Sequence, residues 1–547
     1  MDRKEEKMSE KVVVVMAQLN QTAGDLKGNY QRILEAVDKA RDSDIVMTPE
    51  LSLCGYPPED LLLLDSFLND CLSYVEKLLQ DSLSFPRIFL LVGAPIKENG
   101  RLYNALFVIH NGTIELVYRK KNLPNYGVFD EERYFVSAQS ERCVFTVKGT
   151  RFGINICEDV WYKEPPLAAK DQGAQVLLIA NASPFEENKA CSRLEMVSKH
   201  VNAIGLDACY VNLCGAQDEM VFDGSSFACA QGEVLARAPH MQESLLRVEV
   251  KDGKVQSGTL AAQPGPLERL YSALVMSMRD YVQKNGFKGV VLGLSGGVDS
   301  ALVLKIAVDA VGKDKVLAVM MPSVYTSALS RRDAADLSQR LGVRLETISI
   351  QEGYSAFEFM LAKQFDGKPR DTTEENLQAR IRGVLLMAIS NKFGSMVATT
   401  GNKSEMAVGY STLYGDLAGG FAVIKDVYKT QVYELCRWLN AREPERPVFP
   451  ETILTRAPSA ELKEDQKDQD SLPEYAVLDE ILRRFIEKRE GPQEIAAKGF
   501  DLQTVEKVLS MVKRSEYKRR QAPIGPKVTK VAFGRDWRFP VTNKYQL

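Results

Sequence analysis

Short runs of β-branched residues alternate with amphipathic stretches through most of this 547-residue chain, and no other feature constrains its fold as strongly. The first run is V-V-V-V-M-A at 12–17, and apolar residues at helical spacing follow it. Buried strands that alternate with helices are typical of layered α/β proteins. The pattern breaks at A-A-Q-P-G-P-L, where two prolines flank a glycine. We therefore predict two α/β domains, 1–262 and 268–547, with a linker at 263–267.

The composition disfavours several classes of protein. With 70 basic and 73 acidic residues the net charge is −3, which gives no support for nucleic-acid binding by bulk electrostatics. No apolar run reaches the roughly 18 residues that a membrane span needs, and residues 1–11 show no signal-peptide core, so we expect a cytoplasmic protein. Nine cysteines without a C-x-x-C pair disfavour a disulfide framework or a zinc ribbon, and three histidines disfavour chemistry that needs clustered imidazoles.

After the proline break, the pattern predicts a β-α-β-α-β unit of a doubly wound sheet. A strand in G-V-V-L-G-L leads into S-G-G-V-D-S at 295–300, and an apolar helical face follows. In such sheets the ligand binds beyond the carboxyl ends of the strands. Polar stretches at 365–375 and 443–474 predict long loops. The strand, helix and strand that follow the first helix are predicted at 316–321, 328–341 and 343–350.

The loop S-G-G-V-D-S has the composition of a phosphate cradle. Gly296 and Gly297 let backbone N–H groups converge at a helix N-terminus, where Ser295 and Ser300 add hydroxyl donors. A carboxylate such as Asp299 would repel phosphate there unless a cation lay between them, so we expect Asp299 to bind Mg²⁺. Neither G-x-x-x-x-G-K-[ST] nor G-x-G occurs in the chain, which disfavours a Walker A site and a dinucleotide fingerprint.

This hexamer, between a strand and a helix, resembles the pyrophosphate loop of the ATP pyrophosphatases, which activate a carboxylate or carbonyl as an adenylate. Four further motifs resemble the signature of the NAD synthetases within that group. They are T-T-G-N-K-S-E-M-A-V-G-Y-S-T-L-Y-G-D at 399–416, I-K-D-V-Y-K-T-Q-V at 424–432, A-P-S-A-E-L at 457–462 and S-E-Y-K-R-R-Q-A-P at 515–523. The resemblance covers residues 268–547 and implies a Rossmann-like, doubly wound domain.

The resemblance implies a role for each matching residue. ATP would bind to the glycine-rich loop, and the carboxylate of Glu405 would face Mg²⁺ together with Asp299. NAD would be a product and not a hydride carrier, which agrees with the missing G-x-G. The residues implied at ATP are Ser295, Gly296, Gly297, Val298, Asp299, Ser300 and Thr400. Those implied at nicotinic acid adenine dinucleotide (deamido-NAD) are Asn376, Glu405, Asp416, Lys429 and Lys518.

Cys157 follows a buried strand in R-F-G-I-N-I-C-E-D-V-W, at the strand end where α/β enzymes place their chemistry. Glu50 ends a second strand in I-V-M-T-P-E-L, and Lys120 precedes a turn in Y-R-K-K-N-L-P-N-Y-G-V-F-D-E. As a set these residues resemble the Glu-Lys-Cys triad of the nitrilase superfamily, whose α/β sandwich would form the first domain. Lys121 adjoins Lys120, but the family pattern of lysine, two residues and leucine selects Lys120 because Leu123 then fits.

The nitrilase resemblance implies hydrolysis of glutamine without histidine. Glu50 would take the proton of the Cys157 thiol, since the thiolate is the nucleophile, and Lys120 would stabilise the oxyanion. The extra acidic residue that many amidases of the superfamily keep near the lysine would be Glu131, with Glu132 as the second choice. The residues implied at glutamine are Tyr126, Glu131, Ser183 and Lys189.

The two resemblances together predict one reaction. The first domain would release ammonia from L-glutamine, and a sheltered passage would deliver it to the second domain. There Mg²⁺-ATP would adenylate deamido-NAD, and ammonia would displace AMP to give NAD. The resemblance also implies a homo-oligomer, and the expected partners are these small molecules, with neither nucleic acid nor membrane.

Four alternative functions differ from this prediction in the residues that they need or in the activity that they predict. GMP synthetases pair a similar loop with a Cys-His-Glu amidotransferase, which none of the three histidines fits, and asparagine synthetases use an N-terminal cysteine where this chain has Asp2. A binding or regulatory protein with degenerate sites is disfavoured because every residue of both constellations is intact. A nitrilase-type hydrolase with a nucleotide-sensing domain would hydrolyse glutamine without deamido-NAD and form no NAD.

Overall fold

A computed structural model describes residues 11–139, 141–187 and 189–545, without the side chains of residues 189–191. The chain divides into two compact units between Gly265 and Pro266. This break lies inside the segment 263–267, but the first helix of the second unit already begins at Pro266, since proline suits the first turn of a helix. No helix in the described part of the chain is long and apolar enough to cross a bilayer.

Two β-sheets form the centre of the first unit. The strands are Val12–Gln18 (β1), Ile45–Met47 (β2), Phe89–Glu98 (β3), Arg101–His110 (β4), Thr113–Arg119 (β5), Val144–Val147 (β6), Thr150–Ile156 (β7), Val176–Asn181 (β8), Asp207–Asn212 (β9), Cys214–Gln217 (β10), Met220–Asp223 (β11), Phe227–Ala230 (β12), Glu233–Arg237 (β13), Ser244–Lys251 (β14) and Lys254–Val255 (β15). A seven-stranded sheet has the order β15-β14-β1-β2-β3-β4-β5, and a six-stranded sheet has the order β13-β12-β9-β8-β7-β6. β10 and β11 pair separately.

Helices pack on the outer faces of these sheets. They are Leu26–Lys39 (α1), Asp65–Asp81 (α2), Glu164–Asp171 (α3) and Lys189–Ala203 (α4). Alternate residues of β1 point to opposite faces, so Val14 and Met16 pack between the sheets beside Ile154, whereas Val15 and Ala17 pack against α1. Burial of each such aliphatic side chain contributes roughly 1.5–3 kcal/mol. The layers confirm the predicted nitrilase-type α/β sandwich.

Several strands of this sandwich end at one edge. β1, β2 and β3 run parallel, and so do β7, β8 and β9. β5 shares the direction of β3, because each is antiparallel to β4. The chain leaves β2 toward Glu50, β5 toward Lys120 and β7 toward Cys157. The topology therefore delivers these three residues from the carboxyl ends of strands.

The second unit is built on a four-stranded parallel sheet with the order β18-β17-β16-β19, as predicted for a doubly wound domain. The strands are Val290–Gly293 (β16), Val316–Met320 (β17), Arg344–Thr347 (β18) and Met396–Val397 (β19). The helices are Pro266–Lys284 (α5), Val298–Val311 (α6), Ala328–Leu341 (α7), Gln351–Leu361 (α8), Thr372–Phe393 (α9), Lys403–Val408 (α10), Lys429–Arg442 (α11), Glu451–Thr455 (α12), Tyr475–Glu487 (α13), Pro492–Ala496 (α14), Leu502–Arg514 (α15) and Glu516–Arg519 (α16).

The strand order of this sheet reverses at β16. The chain proceeds from β16 through β17 to β18 on one side, and later places β19 on the other side. Ligands of doubly wound sheets bind in the crevice at such a reversal. The loop 295–300 follows β16 and Thr400 follows β19, so both lie at this edge of the sheet.

Two of the predicted loops contain helices. α9 begins at Thr372, so the loop prediction at 365–375 is wrong from that residue onward. The side chain of Asp371 accepts a hydrogen bond from Thr373 N at 2.7 Å, and Glu374 accepts one from Asp371 N at 2.8 Å. This capping box starts the helix despite the polar composition. In the second predicted loop, α12 forms a short helical turn.

Candidate active sites

A buried ammonium group between two carboxylates forms the centre of the first unit. Lys120 Nζ donates to Glu50 Oε1 at 2.6 Å and to both carboxylate oxygens of Glu131 at 2.9 Å. All three residues are at most 5% exposed. The structure thus places these three together, with Lys120 rather than Lys121 between the carboxylates.

The charges around Lys120 keep its ammonium group protonated. Burial alone lowers the pKa of Lys120, but the carboxylates of Glu131 and Glu50 outweigh burial and raise that pKa well above its usual value. Burial raises the pKa of Glu131, and the ammonium group opposes this shift. The centre therefore contains a fixed positive charge that can stabilise an oxyanion.

Groups that the sequence patterns do not reveal hold the two carboxylates in place. Asn104 Nδ2 donates to Glu50 Oε1 at 2.8 Å, and the N–H of Ala182 donates to the other carboxylate oxygen at 3.1 Å. Tyr56 OH donates to Glu131 Oε1 at 2.8 Å. Asn104 lies inside β4 without a distinguishing motif, and the pairing of β4 with its neighbours brings it to the site.

Cys157 begins a short 3-10 turn, Cys157–Trp161, in a backbone conformation that cysteine rarely adopts. Its φ of +41° lies in the left-handed region, and such strain is concentrated at functional sites. Burial raises the pKa of its thiol well above the usual range, the charge of Glu50 adds to this shift, and Lys120 opposes it. The thiol is therefore neutral at rest, and a base must remove its proton before it can act as a nucleophile.

Asp159 connects the turn that carries the thiol to the end of β5. Its buried carboxylate accepts hydrogen bonds from Asn122 N at 2.8 Å and from Ile156 N at 3.2 Å. The Tyr118 hydroxyl donates to it at 2.8 Å. The motif C-E-D-V-W contains this residue, but its role depends on contacts with a distant strand.

The residues predicted to bind glutamine have different surroundings. Tyr126 is exposed, and its hydroxyl donates to the carboxylate of Glu158 at 3.1 Å. Ser183 is buried, and the side chain of Asn212 bonds to both its N–H and its carbonyl group. Lys189 begins α4, but its side chain lies outside the described residues.

The loop after β16 has the geometry of an anion site. Gly296 has a φ of +83°, and a Cβ atom there would collide with the backbone of Ser330, so only glycine fits. The hydroxyl groups of Ser295 and Ser300 lie 3.1 Å apart. α6 begins at Val298, which places the positive end of its helix dipole at the loop.

Lys429 bridges the two carboxylates that the sequence assigns to the metal. Its Nζ donates to Asp299 Oδ2 at 2.5 Å and to Glu405 Oε1 at 3.2 Å. Asn402 Nδ2 donates to the other carboxylate oxygen of Asp299 at 2.9 Å. Burial raises the pKa of Glu405 to about 8, against the effect of Lys429 and with a contribution from Asp299. An added cation would stabilise the ionised form of such a carboxyl group.

The other residues predicted at deamido-NAD surround one segment, 409–416. Asn376 Oδ1 accepts a hydrogen bond from Thr412 Oγ1 at 2.7 Å, and Asp416 Oδ1 accepts one from Thr412 N at 2.6 Å. Lys518 Nζ donates to two carbonyl oxygens of the same segment, both at 2.7 Å. The predicted dinucleotide residues thus form two groups, one around this segment and one beside the loop after β16.

Asp468 approaches the second of these groups, although it lies in a stretch predicted only as a loop. Its buried carboxylate accepts a hydrogen bond from Tyr475 OH at 2.7 Å, and Lys429 Nζ lies 5.2 Å from the centre of the Tyr475 ring. Its charge also contributes to the raised pKa of Glu405. The run E-D-Q-K-D-Q-D does not indicate which acid is used, because that depends on how the loop folds back.

Both halves of the chain match families of known proteins. Residues 14–258 match the family described as carbon-nitrogen hydrolase, and residues 270–522 match the family described as NAD synthase. The fold and the two sites therefore define a carbon-nitrogen hydrolase joined to an NAD synthase.

Relatives that match almost the whole chain identify the family. A glutamine-dependent NAD(+) synthetase of Acinetobacter baylyi is 45% identical, over 97% of this chain and 98% of its own length. One of Thermotoga maritima is 46% identical over 97% and 99%. The structure of an Acinetobacter baumannii glutamine-dependent NAD+ synthetase with ADP matches with a TM-score of 0.79 at 43% identity, over 98% of this chain and 99% of that one. The chain belongs to the glutamine-dependent NAD(+) synthetase family.

Proposed function

We propose that the protein converts deamido-NAD to NAD with ATP and L-glutamine, and produces AMP, pyrophosphate and glutamate. One observation carries this proposal, namely that a buried Glu50–Lys120 pair near Cys157 and a phosphate-type loop beside Asp299 occur in the same chain. The first site supports release of ammonia, and the second supports formation of an adenylate. The names of the full-length relatives support the same pairing of activities.

An assay with both nitrogen sources tests this proposal. Purified protein receives deamido-NAD, Mg²⁺-ATP and either glutamine or ammonium, and NAD and AMP are quantified by chromatography. We expect equal amounts of NAD and AMP with each source. Absence of NAD with both sources would refute the proposal, and glutamate formation without NAD would favour a hydrolase with a nucleotide-sensing domain.

In the proposed amidase reaction, Cys157 attacks the side-chain amide carbon of glutamine. Glu50 takes the thiol proton as the C–S bond forms, and Lys120 stabilises the negative charge on the former carbonyl oxygen. Glu50 gives this proton to the departing ammonia and then takes one from a water molecule, which hydrolyses the thioester to glutamate. Glu131, held by Tyr56, keeps the lysine charged and in place.

We assign the amino-acid end of glutamine to Tyr126, Ser183 and Lys189. The family resemblance supports this assignment, together with the position of Ser183 one residue after Ala182, whose N–H holds the proposed base. Tyr126 is hydrogen-bonded to Glu158, which follows the nucleophile in the chain.

Replacement of Glu50 by glutamine is expected to have opposite effects on hydrolysis and on thiol reactivity. Loss of the base should slow glutamine hydrolysis by about 10²- to 10⁴-fold. The charge of Glu50 raises the pKa of the Cys157 thiol, so its removal should lower that pKa and leave more thiolate at pH 8. Alkylation of Cys157 by iodoacetamide, followed by peptide mass spectrometry, should therefore be faster in Glu50→Gln.

Glu141→Gln is the control for this experiment, because Glu141 pairs with Arg119 near the surface. It should change neither hydrolysis nor alkylation. Slower alkylation in Glu50→Gln than in the unmodified protein would contradict the electrostatic account of the centre.

Asp299 and Glu405 are proposed to hold Mg²⁺ together with the phosphates of ATP. Among the described residues, no group of three or more His, Cys, Asp or Glu side chains could hold a metal ion. Magnesium is commonly bound by one or two carboxylates and substrate phosphates, and these two carboxylates fit that donor set. When bound, the ion would neutralise charge that develops on the phosphates. Lys429 contributes a fixed positive charge beside both carboxylates.

The loop 295–300 is proposed to hold the pyrophosphate portion of ATP through its backbone N–H groups and serine hydroxyls, with Thr400 as a further ATP contact. The nicotinate carboxylate attacks the α-phosphorus and pyrophosphate leaves. Ammonia then attacks the activated carbonyl and AMP leaves with the bonding electron pair. Asn376, Asp416 and Lys518 are proposed to hold the dinucleotide, since they support the segment 409–416 beside which it would lie.

We propose that the protein forms a homo-oligomer through α8, α9 and the loop between them. This region exposes large apolar side chains, and apolar surfaces of this kind mark interaction sites. They include Phe359 (84% exposed), Met360 (59%), Val384 (66%) and Met387 (37%), and the last two share one face of α9 because they are three residues apart. A second copy of the chain is the proposed occupant, because the resemblance to the NAD synthetases implies a homo-oligomer.

The charge variant Val384→Asp is expected to dissociate the oligomer, because the carboxylate would be desolvated at the interface. Light scattering after size exclusion should then give the mass of one chain, 61.0 kDa, instead of a multiple of it. Leu63→Asp is the matched control, since Leu63 is 59% exposed in the first unit, and it should leave the mass unchanged. A multiple of 61.0 kDa in Val384→Asp, or a single-chain mass before substitution, would contradict this interface.

We place the reaction in the cytoplasm. Seven cysteines are buried free thiols, as expected in a reducing compartment, namely Cys54, Cys71, Cys143, Cys157, Cys209, Cys229 and Cys436. The proposed partners are the small-molecule substrates, deamido-NAD, ATP and L-glutamine.

A further inference from the structure

A buried ion pair lies next to the backbone of Ser183 in the first unit. The guanidinium group of Arg193, on α4, donates to both carboxylate oxygens of Asp223, at 2.9 and 3.0 Å. Arg193 is 2% exposed and Asp223 is fully buried. Desolvation of two charges is costly, and apolar residues of similar volume often stabilise a core equally well. Stability alone is therefore a weak reason for this pair.

One amide side chain connects the ion pair to Ser183. Asn212 Nδ2 donates to Asp223 Oδ1 and to the Ser183 carbonyl, both at 3.2 Å, while Asn212 Oδ1 accepts a hydrogen bond from Ser183 N at 2.9 Å. Arg193 Nη1 donates to the same carbonyl oxygen at 3.5 Å. The backbone of Ser183 is therefore fixed at its donor and at its acceptor.

The segment held in this way also holds the proposed base. The N–H of Ala182 donates to Glu50 Oε2 at 3.1 Å, and the Asn181 carbonyl accepts from Glu50 N at 3.4 Å. Because residues 181–183 are consecutive, a displacement of Ser183 would also displace the group that orients the Glu50 carboxylate. Glutamine binding and base orientation thus depend on the same short segment.

We infer that Arg193 and Asp223 are positioning residues for glutamine hydrolysis and act through Asn212 on the backbone of residues 181–183. The inference rests on the proposed amidase reaction and deepens it. Arg193 and Asp223 contact this backbone and Asn212, whereas Glu50, Lys120 and Cys157 perform the chemistry. A displacement of about 1 Å in such a support can cost about 10²-fold in rate.

The charge of Arg193 also interacts electrostatically with Cys157, the proposed nucleophile. Burial lowers the pKa of Arg193, Asp223 raises it, and a thiolate at Cys157 raises it further. Because the electrostatic interaction between two groups is reciprocal, the guanidinium group favours the thiolate. His240 Nδ1 lies 3.9 Å from Asp223 Oδ2.

The double variant Arg193→Met/Asp223→Leu tests the inference without leaving a buried charge unpaired. We expect it to fold, to retain ammonium-driven NAD formation, and to lose about 10²-fold in kcat/KM for glutamine through both a raised KM and a lowered kcat. Arg193→Lys keeps the charge but loses the planar fork that reaches two partners, so its kcat/KM should lie between the double variant and the unmodified protein. Circular dichroism and gel filtration measure the folded fraction.

Lys148→Met/Asp44→Asn is the matched control, because it removes an ion pair just before the amino end of β2. It should leave the glutamine kinetics unchanged. A pair that is merely structural would lower the folded fraction and leave the KM of the folded enzyme unchanged. An unchanged kcat and KM for glutamine in either folded Arg193 variant would overturn the inference. If the double variant does not fold, the kcat and KM of Arg193→Lys provide the test.

Cys157→Ala, assayed in parallel, separates this result from a failure of the proposed function. If Cys157→Ala is inactive with glutamine while the Arg193 variants are unaffected, only the positioning inference fails. If Cys157→Ala retains glutamine-driven turnover, the amidase proposal fails and the positioning inference fails with it.

Discussion

Replacement of Cys157 by alanine is expected to abolish NAD formation from glutamine and to leave NAD formation from ammonium nearly unchanged. Without the thiolate no thioester forms, so the glutamine-driven rate should fall at least about 10⁴-fold. Added ammonia bypasses this step, and the substitution leaves every proposed residue of the second site in place. Initial rates of NAD formation with each nitrogen source, from one preparation, measure both effects.

Cys143→Ala is the matched control, because Cys143 is another buried free cysteine of the first unit. It should retain both activities. Loss of both activities in Cys157→Ala would mean that the thiol has a structural role. Retention of the glutamine-driven rate would mean that another group is the nucleophile.

Replacement of Asp299 by asparagine is expected to reduce NAD formation from both nitrogen sources by at least about 10²-fold. The amide keeps the size of the side chain but removes the negative charge that pairs with Lys429 and would hold Mg²⁺. Both nitrogen sources converge on the adenylate, so neither can bypass this defect. The measurement is the rate of NAD formation at saturating ATP with glutamine or ammonium.

Asp309→Asn serves as the control for this substitution. Asp309 lies on α6, as Asp299 does, and forms an ion pair with Lys305 one helical turn before it. Its NAD formation should remain unchanged. Full ammonium-driven turnover in Asp299→Asn would exclude a role for this carboxylate in metal binding.

Features that depend on local sequence could be predicted well. Helix α7 spans Ala328–Leu341, the range that its apolar spacing predicts, and the strand at 12–17 extends by one residue in β1. The glycine-rich turn after β16 could also be predicted, because Gly296 has a left-handed backbone conformation that other residues avoid. Glu50 and Cys157 each follow the carboxyl end of a buried strand, as their sequence context predicts, although β2 and β7 belong to different sheets.

Contacts between distant segments that no family motif marks could not be predicted. Asn104 reaches Glu50 only because β4 lies between β3 and β5 in the sheet. Asp468 lies close to Lys429 because a long loop folds back. The sequence does not distinguish Asp468 from the other acidic residues of the same run. The start of α9 was missed for another reason, since a polar composition concealed the capping box of Asp371.

Nitrogen tracing follows one atom through both sites, from the side-chain amide of glutamine to the carboxamide of NAD. The purified full-length protein receives deamido-NAD, Mg²⁺-ATP and L-glutamine labelled with ¹⁵N at the side-chain amide, and the NAD formed is analysed by mass spectrometry. We expect the carboxamide of NAD to carry the label, and AMP and glutamate to form in amounts at least equal to that of NAD. Unlabelled NAD, or labelled ammonia without any NAD, would contradict this expectation.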